Sequence, residues 1–352
     1  GDVTLDAGGD LTVSGDINSS ASVDLSLLAT SGGDLVIDVD VVQAETDLSV
    51  TANNGGSIQA AGNFEGGTLA FQGDTITVSS GSLTGGTVDV TSVGSMDMAA
   101  SITSTGGAVN VTSGGDMDMA ANITSTGGTT LEASNDLIYA GEANAGDALS
   151  LSGETITMSS GSLDGGEVLV NAGANASITA DLTSDTTVEL IAANDLTYAG
   201  GINASDVTLT AGSDITTNGG GLLQGETLTL EATTGSIDAT SNLTGQTIDV
   251  LAANDLTIAG NVTGQSAAAS GSGDVALTAQ SGDLEVAGNL EGAAITLTAG
   301  SGDVTYAGTV AATGLVDINA SGGELSLSGD LTGASVIGHA SEDGVVTASV
   351  TS

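Results

Sequence analysis

Residues 255–260, Asp-Leu-Thr-Ile-Ala-Gly, decide the fold of this chain, and close copies recur at 195–200 and 303–308. The second and fourth residues of each copy are apolar and a threonine separates them. A β-strand would therefore place the apolar pair on one side and the threonine on the other. Glycine, asparagine and aspartate bound each copy, as is typical of short strands between turns. The pattern predicts one strand at each copy.

The same pattern runs along all 352 residues with a period of about 21 residues, the spacing of one β-solenoid turn. A second apolar alternation lies about ten residues after the first, as at 247–250, and segments such as 121–126 predict a third, shorter face. The first inward apolar residues serve as anchors, and they are predicted to be Leu11, Leu35, Ile58, Ile76, Met96, Met117, Leu137, Ile156, Ile178, Leu196, Ile215, Ile237, Leu256, Leu284, Val304, Leu325 and Val345.

These strands predict an all-β fold, a parallel β-helix (β-solenoid) of about 17 coils of about 21 residues. A right-handed coil is expected from the general preference of parallel crossovers. One continuous solenoid is predicted over residues 1–352, with a small-residue loop insertion at 265–273 (Gln-Ser-Ala-Ala-Ala-Ser-Gly-Ser-Gly). Both ends carry the ordinary repeat pattern, so copies of the chain or flanking repeats of a longer chain are expected to cover them.

The chain contains 44 Asp and Glu residues and no Lys or Arg, for a formal net charge of −44. Nucleic acid is excluded as a direct partner because phosphate binding depends on Lys and Arg. The absence of a long apolar run predicts no membrane insertion, and the absence of Cys excludes disulfides and thiolate metal sites. Uncompensated negative charge opposes folding at low salt, so a saline, divalent-rich or acidic extracellular setting is expected.

Acidic residues often precede an anchor, as at Asp255, Asp283, Asp303 and Glu324. If the register is correct, these carboxylates stack one coil apart, and hard oxygen ligands at that spacing suit Ca²⁺. A second pair is expected from Asp97 and Asp118, which point outward in two Met-Asp-Met triplets. The alternative for both sets is turn chemistry with solvated charges. The sequence leaves the two interpretations open.

The tyrosines, the single histidine and the remaining acidic residues do not indicate a catalytic site. Tyr139, Tyr198 and Tyr306 occupy the second inward position of their strands, so each hydroxyl must reach a corner, water or a backbone carbonyl. His339 is the only histidine and has no second His or Cys with which to share a metal. No pair among the many acids stands out as a hydrolytic pair. No enzymatic activity and no required cofactor are predicted, and Ca²⁺ is the one ion considered.

Two motifs, Gly-Gly-Asp-Leu-Thr-Val at 8–13 and Ala-Gly-Asn-Leu at 287–290, resemble the repeats of filamentous-haemagglutinin-type adhesins and of other bacterial or archaeal surface filament proteins. The resemblance implies a secreted β-helical stalk used for attachment or in cell-surface filaments. The predicted function is therefore an extracellular structural protein, a subunit or segment of a filament or adhesin stalk that assembles by end-to-end stacking. The alternative is an acidic module that holds Ca²⁺ or a glycan along a carboxylate-lined corner.

Overall fold

The computed structural model of the protein describes residues 2–19, 23–265, 273–347 and 349–351. The fold is an all-β parallel solenoid of about 17 turns, with 64% of residues in strands and no helix among the described residues. The predicted fold class is confirmed. Most of the predicted insertion, residues 266–272, lies outside the described residues. The chain divides into two compact units, residues 1–172 and 173–352.

Unit 1 contains strands β1 to β19. Their bounds, in chain order, are Val3–Ala7, Leu11–Val13, Ile17–Asn18, Leu25–Ala29, Leu35–Gln43, Asp47–Ala52, Ile58–Gly73, Ile76–Ser92, Met96–Met98, Ser101–Ser104, Val109–Ser113, Met117–Met119, Ile123–Ser125, Thr129–Ala133, Leu137–Tyr139, Glu142–Ala145, Ala148–Gly153, Ile156–Met158 and Ser162–Ala172.

Unit 2 contains strands β20 to β44. Their bounds are Ala176–Ile178, Asp181–Ala192, Leu196–Tyr198, Ile202–Asn203, Asp206–Ala211, Ile215–Thr217, Leu222–Gln224, Thr227–Ala232, Ile237–Ala239, Asn242–Gly245, Thr247–Ala252, Leu256–Ile258, Val262–Gly264, Asp274–Ala279, Leu284–Val286, Leu290–Gly292, Ile295–Ala299, Val304–Tyr306, Val310–Ala312, Leu315–Ala320, Leu325–Leu327, Leu331–Thr332, Ser335–Ala340, Gly344–Val346 and Val350–Thr351.

Three parallel faces build each turn. Face 1 comprises the anchor strands, such as β31, which pairs with β28 before it and β34 after it. Face 2 comprises the short strands that follow, such as β32, and face 3 the longer strands of the second alternation, such as β30. Corner 1 joins face 3 to face 1, corner 2 joins face 1 to face 2, and corner 3 joins face 2 to face 3. The predicted third face is confirmed.

The core is a set of columns that take one inward residue from each turn. Each member removes its side chain from water, which stabilises the fold by about 1.5–3 kcal/mol for a Val, Leu or Ile. The period-two alternation produces this arrangement because every second residue of a strand points inward. In one column of face 3 in unit 2, seven consecutive members are each at most 1% exposed: Val188, Val207, Leu228, Ile248, Val275, Ile295 and Val316.

Most predicted anchors pair in register, from Leu11 to Ile156 in unit 1 and from Leu196 to Leu325 in unit 2. The anchor predicted at Ile178 is wrong. Ala176 pairs with Leu196, and Ile178 occupies the second inward position. Hydrophobic alternation misses this anchor because a single methyl group gives a weak apolar signal beside an isoleucine.

The anchor predicted at Val345 is also wrong, by one residue. Gly344 pairs with Leu325, so Val345 lies opposite Ser326 and points outward. A one-residue slip moves every side chain of a strand to the opposite face. Val346, and not Val345, therefore belongs to the inward set of the last strand on face 1.

Two strands of unit 1 bend through corners without losing their pairing. β7 and β8 are 16 and 17 residues long and pair along almost their whole length, with a register shift after Ala60. Gly62 and Gly81 pair at the bend, and both have positive φ angles, which a glycine adopts without a Cβ clash. The rings of Phe64 and Phe71 meet edge to face inside, with centroids 5.1 Å apart.

Candidate functional site

The four predicted acidic positions of unit 2 stack at corner 1. The backbone N–H of Asp283 donates to Oδ1 of Asp255 at 2.9 Å, and the N–H of Asp303 donates to Oδ1 of Asp283 at 2.8 Å. The N–H of Glu324 donates to Oδ1 of Asp303 at 2.7 Å. Each aspartate thus binds the backbone of the equivalent residue one turn later. We call this series the corner-1 ladder.

The ladder needs an oxygen acceptor and does not need a charge. Asn175 accepts the N–H of Asp195 at 3.2 Å through its amide oxygen. Ser236 accepts the N–H of Asp255 at 3.3 Å through its hydroxyl. A neutral side chain therefore makes the same bond as a carboxylate, which favours a structural role in the turn. The bond uses one of the two oxygens of each aspartate, and binding of Ca²⁺ by the ladder stays a prediction.

A second ladder, at corner 2, consists of asparagine side chains. The N–H of Asn261 donates to Oδ1 of Asn242 at 2.9 Å, and the N–H of Asn289 donates to Oδ1 of Asn261 at 3.0 Å. The N–H of Thr309 donates in turn to Oδ1 of Asn289 at 3.1 Å. Sequence reasoning missed this ladder, although Ala-Gly-Asn at 259–261 and 287–289 was a visible signal.

Asp97 and Asp118 form the second predicted pair, and the structure brings them together. They lie directly opposite each other on the paired strands β9 and β12, and both are exposed. Asp116 and Asp136 line the same shallow groove. Two unit charges one strand spacing apart repel by about 1 kcal/mol in water. Because the chain contains no Lys or Arg, neither of these cationic side chains is present to offset the repulsion.

The acidic residues are spread along the turns. Across residues 2–19, 23–265, 273–347 and 349–351, no three Asp, Glu or His side chains come close enough together to hold a metal ion. A coordination shell for Ca²⁺ takes six to eight oxygens. Any divalent ion at the Asp97–Asp118 pair would therefore keep water among its ligands.

The tyrosine of the Tyr-Ala-Gly motif at 198–200 is fully buried, and its hydroxyl lies at corner 2. Tyr198 Oη lies 3.0 Å from the carbonyl oxygen of Ala180 and 2.7 Å from that of Gly201. A Cβ on Gly200 would come within 2.8 Å of this hydroxyl, so the motif needs glycine two residues after the tyrosine. The prediction that the hydroxyl reaches a backbone carbonyl is confirmed here.

Tyr139 and Tyr306 occupy the same inward position in other turns and are also fully buried. Burial raises the pKa of all three phenols above the ordinary range, and the charges of Glu142 and Asp181 add to the rise at Tyr139 and Tyr198. Tyr306 donates to the carbonyl of the preceding turn, whereas the hydroxyl of Tyr139 is buried without a partner among the described residues. The rings serve the core and offer no surface to a ligand.

Buried serines are a feature that sequence reasoning missed. Ser113 occupies an inward position of corner 1 where most other turns carry alanine, and its hydroxyl lies 2.8 Å from the carbonyl oxygen of Gly94 and 2.9 Å from that of Asp116. The N–H of Gly115 donates to it at 3.3 Å. Ser104 and Ser125 bind carbonyl groups in the same way at corner 3. These serines hold their corners from inside the solenoid.

Neither His339 nor the aromatic residues form a binding site. His339 is exposed on β42, opposite Asn319 of the preceding strand. All five aromatic residues of the chain, three Tyr and two Phe, are buried. A glycan that stacks on an aromatic ring would therefore find no exposed ring.

The first and last turns expose strand edges and apolar side chains. Among the described residues, strands β1, β2 and β3 pair with strands of the following turn alone, and β42, β43 and β44 with strands of the preceding turn alone. Val3 is 41% exposed, and Val346 and Val350 are each 53% exposed, although they belong to inward columns. We call these two surfaces the β1–β3 edge and the β42–β44 edge. The backbone N–H and C=O groups on the outer side of these strands have no strand partner among the described residues.

In comparisons with known proteins, no family model, no curated protein and no solved structure matches the chain. Among the described residues, no helix is long and apolar enough to cross a membrane. The β-solenoid itself is consistent with β-helix repeat proteins. The ladders and the open strand edges are thus the features on which a functional proposal depends.

Proposed function

We propose that this chain is an extracellular structural protein, a subunit or segment of a cell-surface filament or adhesin stalk. The observation that carries the proposal is the pair of open edges, β1–β3 and β42–β44, with inward residues such as Val3 and Val346 exposed to water. Unpaired strand edges with apolar side chains bind further strands. Copies of the chain, or flanking repeats of a longer one, are the partners that fit.

The composition supports the same proposal. With no Lys or Arg, the chain offers no cleavage site to a protease that requires a basic residue, and with no Cys it has no thiol to oxidise. Its high negative charge keeps the outer faces hydrated and separates neighbouring copies sideways. Contact is then favoured at the open edges, where the ladders of the solenoid are exposed.

Electron microscopy of the purified 352-residue chain tests the proposal. We expect unbranched fibres whose length grows with protein concentration and with salt, because salt screens the repulsion between copies. A variant with Val3→Asp and Val346→Asp should stay monomeric, since each change places a charge in the proposed contact. The matched control, Thr12→Asp with Ser326→Asp, adds the same charges at outward positions away from the open columns. Particles that stay monomeric at all concentrations and salt levels would contradict end-to-end assembly.

The second candidate function is an acidic module that holds Ca²⁺. Asp97 and Asp118 favour it, because they lie opposite each other in register beside Asp116 in one groove. Isothermal titration with Ca²⁺ on the wild-type chain and on the Asp97→Asn, Asp118→Asn variant separates this function from the first. Saturable binding that the variant loses would support it, and fibres unaffected by a chelator would confine Ca²⁺ to a role outside assembly.

A further inference from the structure

We propose that unit 2 binds an uncharged polysaccharide strand in a groove on face 2 and corner 3, with Asn203, Gln224 and Leu222 as its main contacts. This binding site goes beyond the proposed function and does not depend on end-to-end assembly. It is distinct from the carboxylate-lined corner that the sequence indicates. We call it the amide groove, and it comprises residues of four successive turns, 181–185, 201–205, 222–226 and 244–246.

Two adjoining depressions form the amide groove. One lies on face 2 and the other at corner 3, and both are lined by Asn203 and Gln224. Each has a volume of about 390 Å³, within the range of ligand sites. At corner 3 a Cβ on Gly225 would come within 2.7 Å of the carbonyl oxygen of Thr227, so no side chain can fill the groove there. The groove therefore runs across successive turns.

One column of outward residues in the groove carries no charge over five successive turns. Its members, which pair in register, are Thr183, Asn203, Gln224, Thr244 and Thr263. The next member, Glu291, is acidic. Amide and hydroxyl groups together offer both donors and acceptors, as the hydroxyl groups of a sugar do. A chain with 44 acidic residues thus presents a neutral hydrogen-bonding track at this groove.

The side-chain amides of Asn203 and Gln224 are exposed and form no hydrogen bond among the described residues. Asn242 and Asn261, on the same face, instead use Oδ1 to accept backbone N–H groups at corner 2. Asn203 and Gln224 therefore do not hold the fold through their amides, and these groups are available to a ligand.

The ladder at corner 2 is interrupted where the groove lies. Asp181 accepts the N–H of Gly201 at 2.8 Å, but Gly201 and then Leu222 have no side-chain oxygen to continue the series. The N–H of Asn242 donates instead to the carbonyl oxygen of Gly221 at 3.3 Å. Departures from a structural pattern are expected at functional sites. The interruption therefore supports a role for these two turns outside the fold.

Leu222 supplies an apolar surface to the same groove. It points outward on β26, two residues before Gln224, and is 41% exposed. The equivalent residue one turn earlier is Gly201, so no side chain covers Leu222 from that direction. A sugar ring combines an apolar C–H side with hydroxyl groups at its edge. The C–H side would pack on Leu222 while the hydroxyl groups bind Asn203 and Gln224.

The charges around the groove favour an uncharged ligand. Asp181, Asp185 and Glu226 lie at its margins, and the chain contains no Lys or Arg. Carboxylates accept strong hydrogen bonds from hydroxyl groups and repel uronate, sulfate and phosphate groups. Among the described residues, no three acidic side chains come close enough to hold a metal ion that would bridge to an anionic ligand.

The repeat of the groove suits a polymer. Successive strands lie about 4.8 Å apart, and each turn presents the same kind of polar group at the same position. One sugar unit of an extended polysaccharide advances by a comparable length. Successive sugar units would therefore contact Thr183, Asn203 and Gln224 in turn.

Affinity electrophoresis of the full 352-residue chain tests the proposal. Native gels at low salt contain a soluble uncharged polysaccharide (dextran, galactomannan or hydroxyethyl cellulose) or the anionic polygalacturonate. We expect at least one uncharged polysaccharide to retard the chain in proportion to its concentration, and polygalacturonate to leave the mobility unchanged. Retardation by none of the uncharged polysaccharides, or by polygalacturonate alone, would overturn the proposal.

Substitutions in the groove locate the site. Asn203→Ala with Gln224→Ala should weaken binding about tenfold, because each change removes a hydrogen-bonding group. Leu222→Asp should also weaken it, because a charge replaces the apolar contact. The matched control, Asn171→Ala with Gln280→Ala, removes two exposed amides outside the groove and should bind like wild type.

The outcomes separate the groove from other surfaces and from the assembly. Unchanged binding in both groove variants, or an equal loss in the control, would overturn the site. Fibres lost in the groove variants with polysaccharide binding unchanged would also overturn it and assign the groove to contacts between copies. Thermal melts establish that each variant is folded. Because binding is measured on the dispersed chain, a failure of end-to-end assembly is observed separately and leaves the result on the groove unaffected.

Discussion

The same corner is held from opposite sides in different turns of the solenoid. In the turns of unit 1 that contain Ser92 and Ser113, buried hydroxyl groups bind the corner-1 carbonyls from inside the solenoid. In unit 2, Asp255 and Asp283 bind the corner-1 backbone from outside, while Ala252 and Ala279 fill the inward position.

The difference teaches that the solenoid specifies a hydrogen-bonding requirement and leaves open which residue meets it. A buried serine adds a polar group to the core, and its cost is offset only while its bonds are made. An outward aspartate avoids that cost and adds a charge to a surface that has 44 acidic residues and no Lys or Arg. The serine turns should therefore be sensitive to loss of bonding and the aspartate turns to salt.

The largest effect is expected at Ser113. Ser113→Ala removes the acceptor of the Gly115 N–H and the donor that reaches the Gly94 and Asp116 carbonyls, so the local free energy of unfolding should fall by about 2 kcal/mol. Native-state hydrogen exchange at Gly115 measures it. Ser101→Ala, at an exposed serine of the same unit, serves as control and should change little.

A second substitution, Ser95→Asp, tests whether an outward aspartate can replace the buried serine at this corner. Ser95 occupies the corner-1 ladder position before Asp116, so Ser95→Asp would supply an outside acceptor for the Asp116 N–H, as Asp255 does for Asp283. In the Ser113→Ala background it should recover about 1 kcal/mol. No recovery would show that the two ways of holding the corner are not equivalent.

The second prediction distinguishes two roles of the Asp283 side chain, its oxygen as a hydrogen-bond acceptor and its negative charge. Asp283→Ala removes the acceptor of the Asp303 N–H and should destabilise unit 2 by about 1.5 kcal/mol. Asp283→Asn keeps an oxygen acceptor, as Asn175 does naturally, and should be at least as stable as wild type at low salt. Thermal melts with and without added salt measure both. A variant with asparagine that is as unstable as the alanine variant would show that the charge itself is required.

The third prediction compares two tyrosines of equivalent position. Tyr198→Phe removes a hydroxyl that lies within hydrogen-bonding distance of two carbonyls and should cost about 1 kcal/mol. Tyr139→Phe removes a buried hydroxyl without a partner and should be neutral or stabilising. Equal losses from the two substitutions in urea denaturation would contradict the assignment.

The same tyrosines predict a dependence on alkaline pH. Burial raises the pKa of Tyr198 in the folded chain, so the neutral phenol stabilises the fold below the unfolded-state pKa near 10, and this contribution is lost as the pH rises toward the folded-state pKa. The Tyr198→Phe melting temperature should therefore fall less than that of wild type between pH 9 and pH 11. Parallel losses in the two proteins would show that other groups control alkaline stability.

Much of the fold could be predicted from the sequence, because backbone pairing and apolar alternation repeat at every turn. The anchors failed where the column holds Ala176 or Gly344, since small residues carry no apolar signal. The carbonyl partners of the Tyr198 and Tyr306 hydroxyls agree with the prediction, because a buried phenol needs a hydrogen-bond acceptor, whereas the hydroxyl of Tyr139 has no partner among the described residues.

The ladders could not be predicted in the same way. Whether Ser113 points inward depends on a register of one residue, and composition does not distinguish a buried serine from a solvated one. Asp255 and Asp283 were expected to stack, but their use as acceptors for backbone N–H groups depends on corner geometry. The Asp283–Asp255 bond forms although 28 residues separate the two positions, more than in the other turns of this ladder. The geometry of the corner, and not the length of the turn, therefore determines whether the bond forms.

The smallest change in stability is expected at the Asp97–Asp118 pair, two exposed carboxylates on the outer surface of unit 1. Asp118→Asn removes one of two facing carboxylates and should stabilise the chain by about 0.5 kcal/mol at low salt, with the gain lost near 1 M salt. If Ca²⁺ binds the pair, the added ion should instead stabilise wild type and leave the variant unchanged. Since Asp97 faces Thr77 on its other side, Thr77→Val serves as a control that alters the same groove without changing its charge. A variant less stable than wild type in chelator and low salt would show that the carboxylate of Asp118 has a structural bond, and the pair would then belong with the corner ladders.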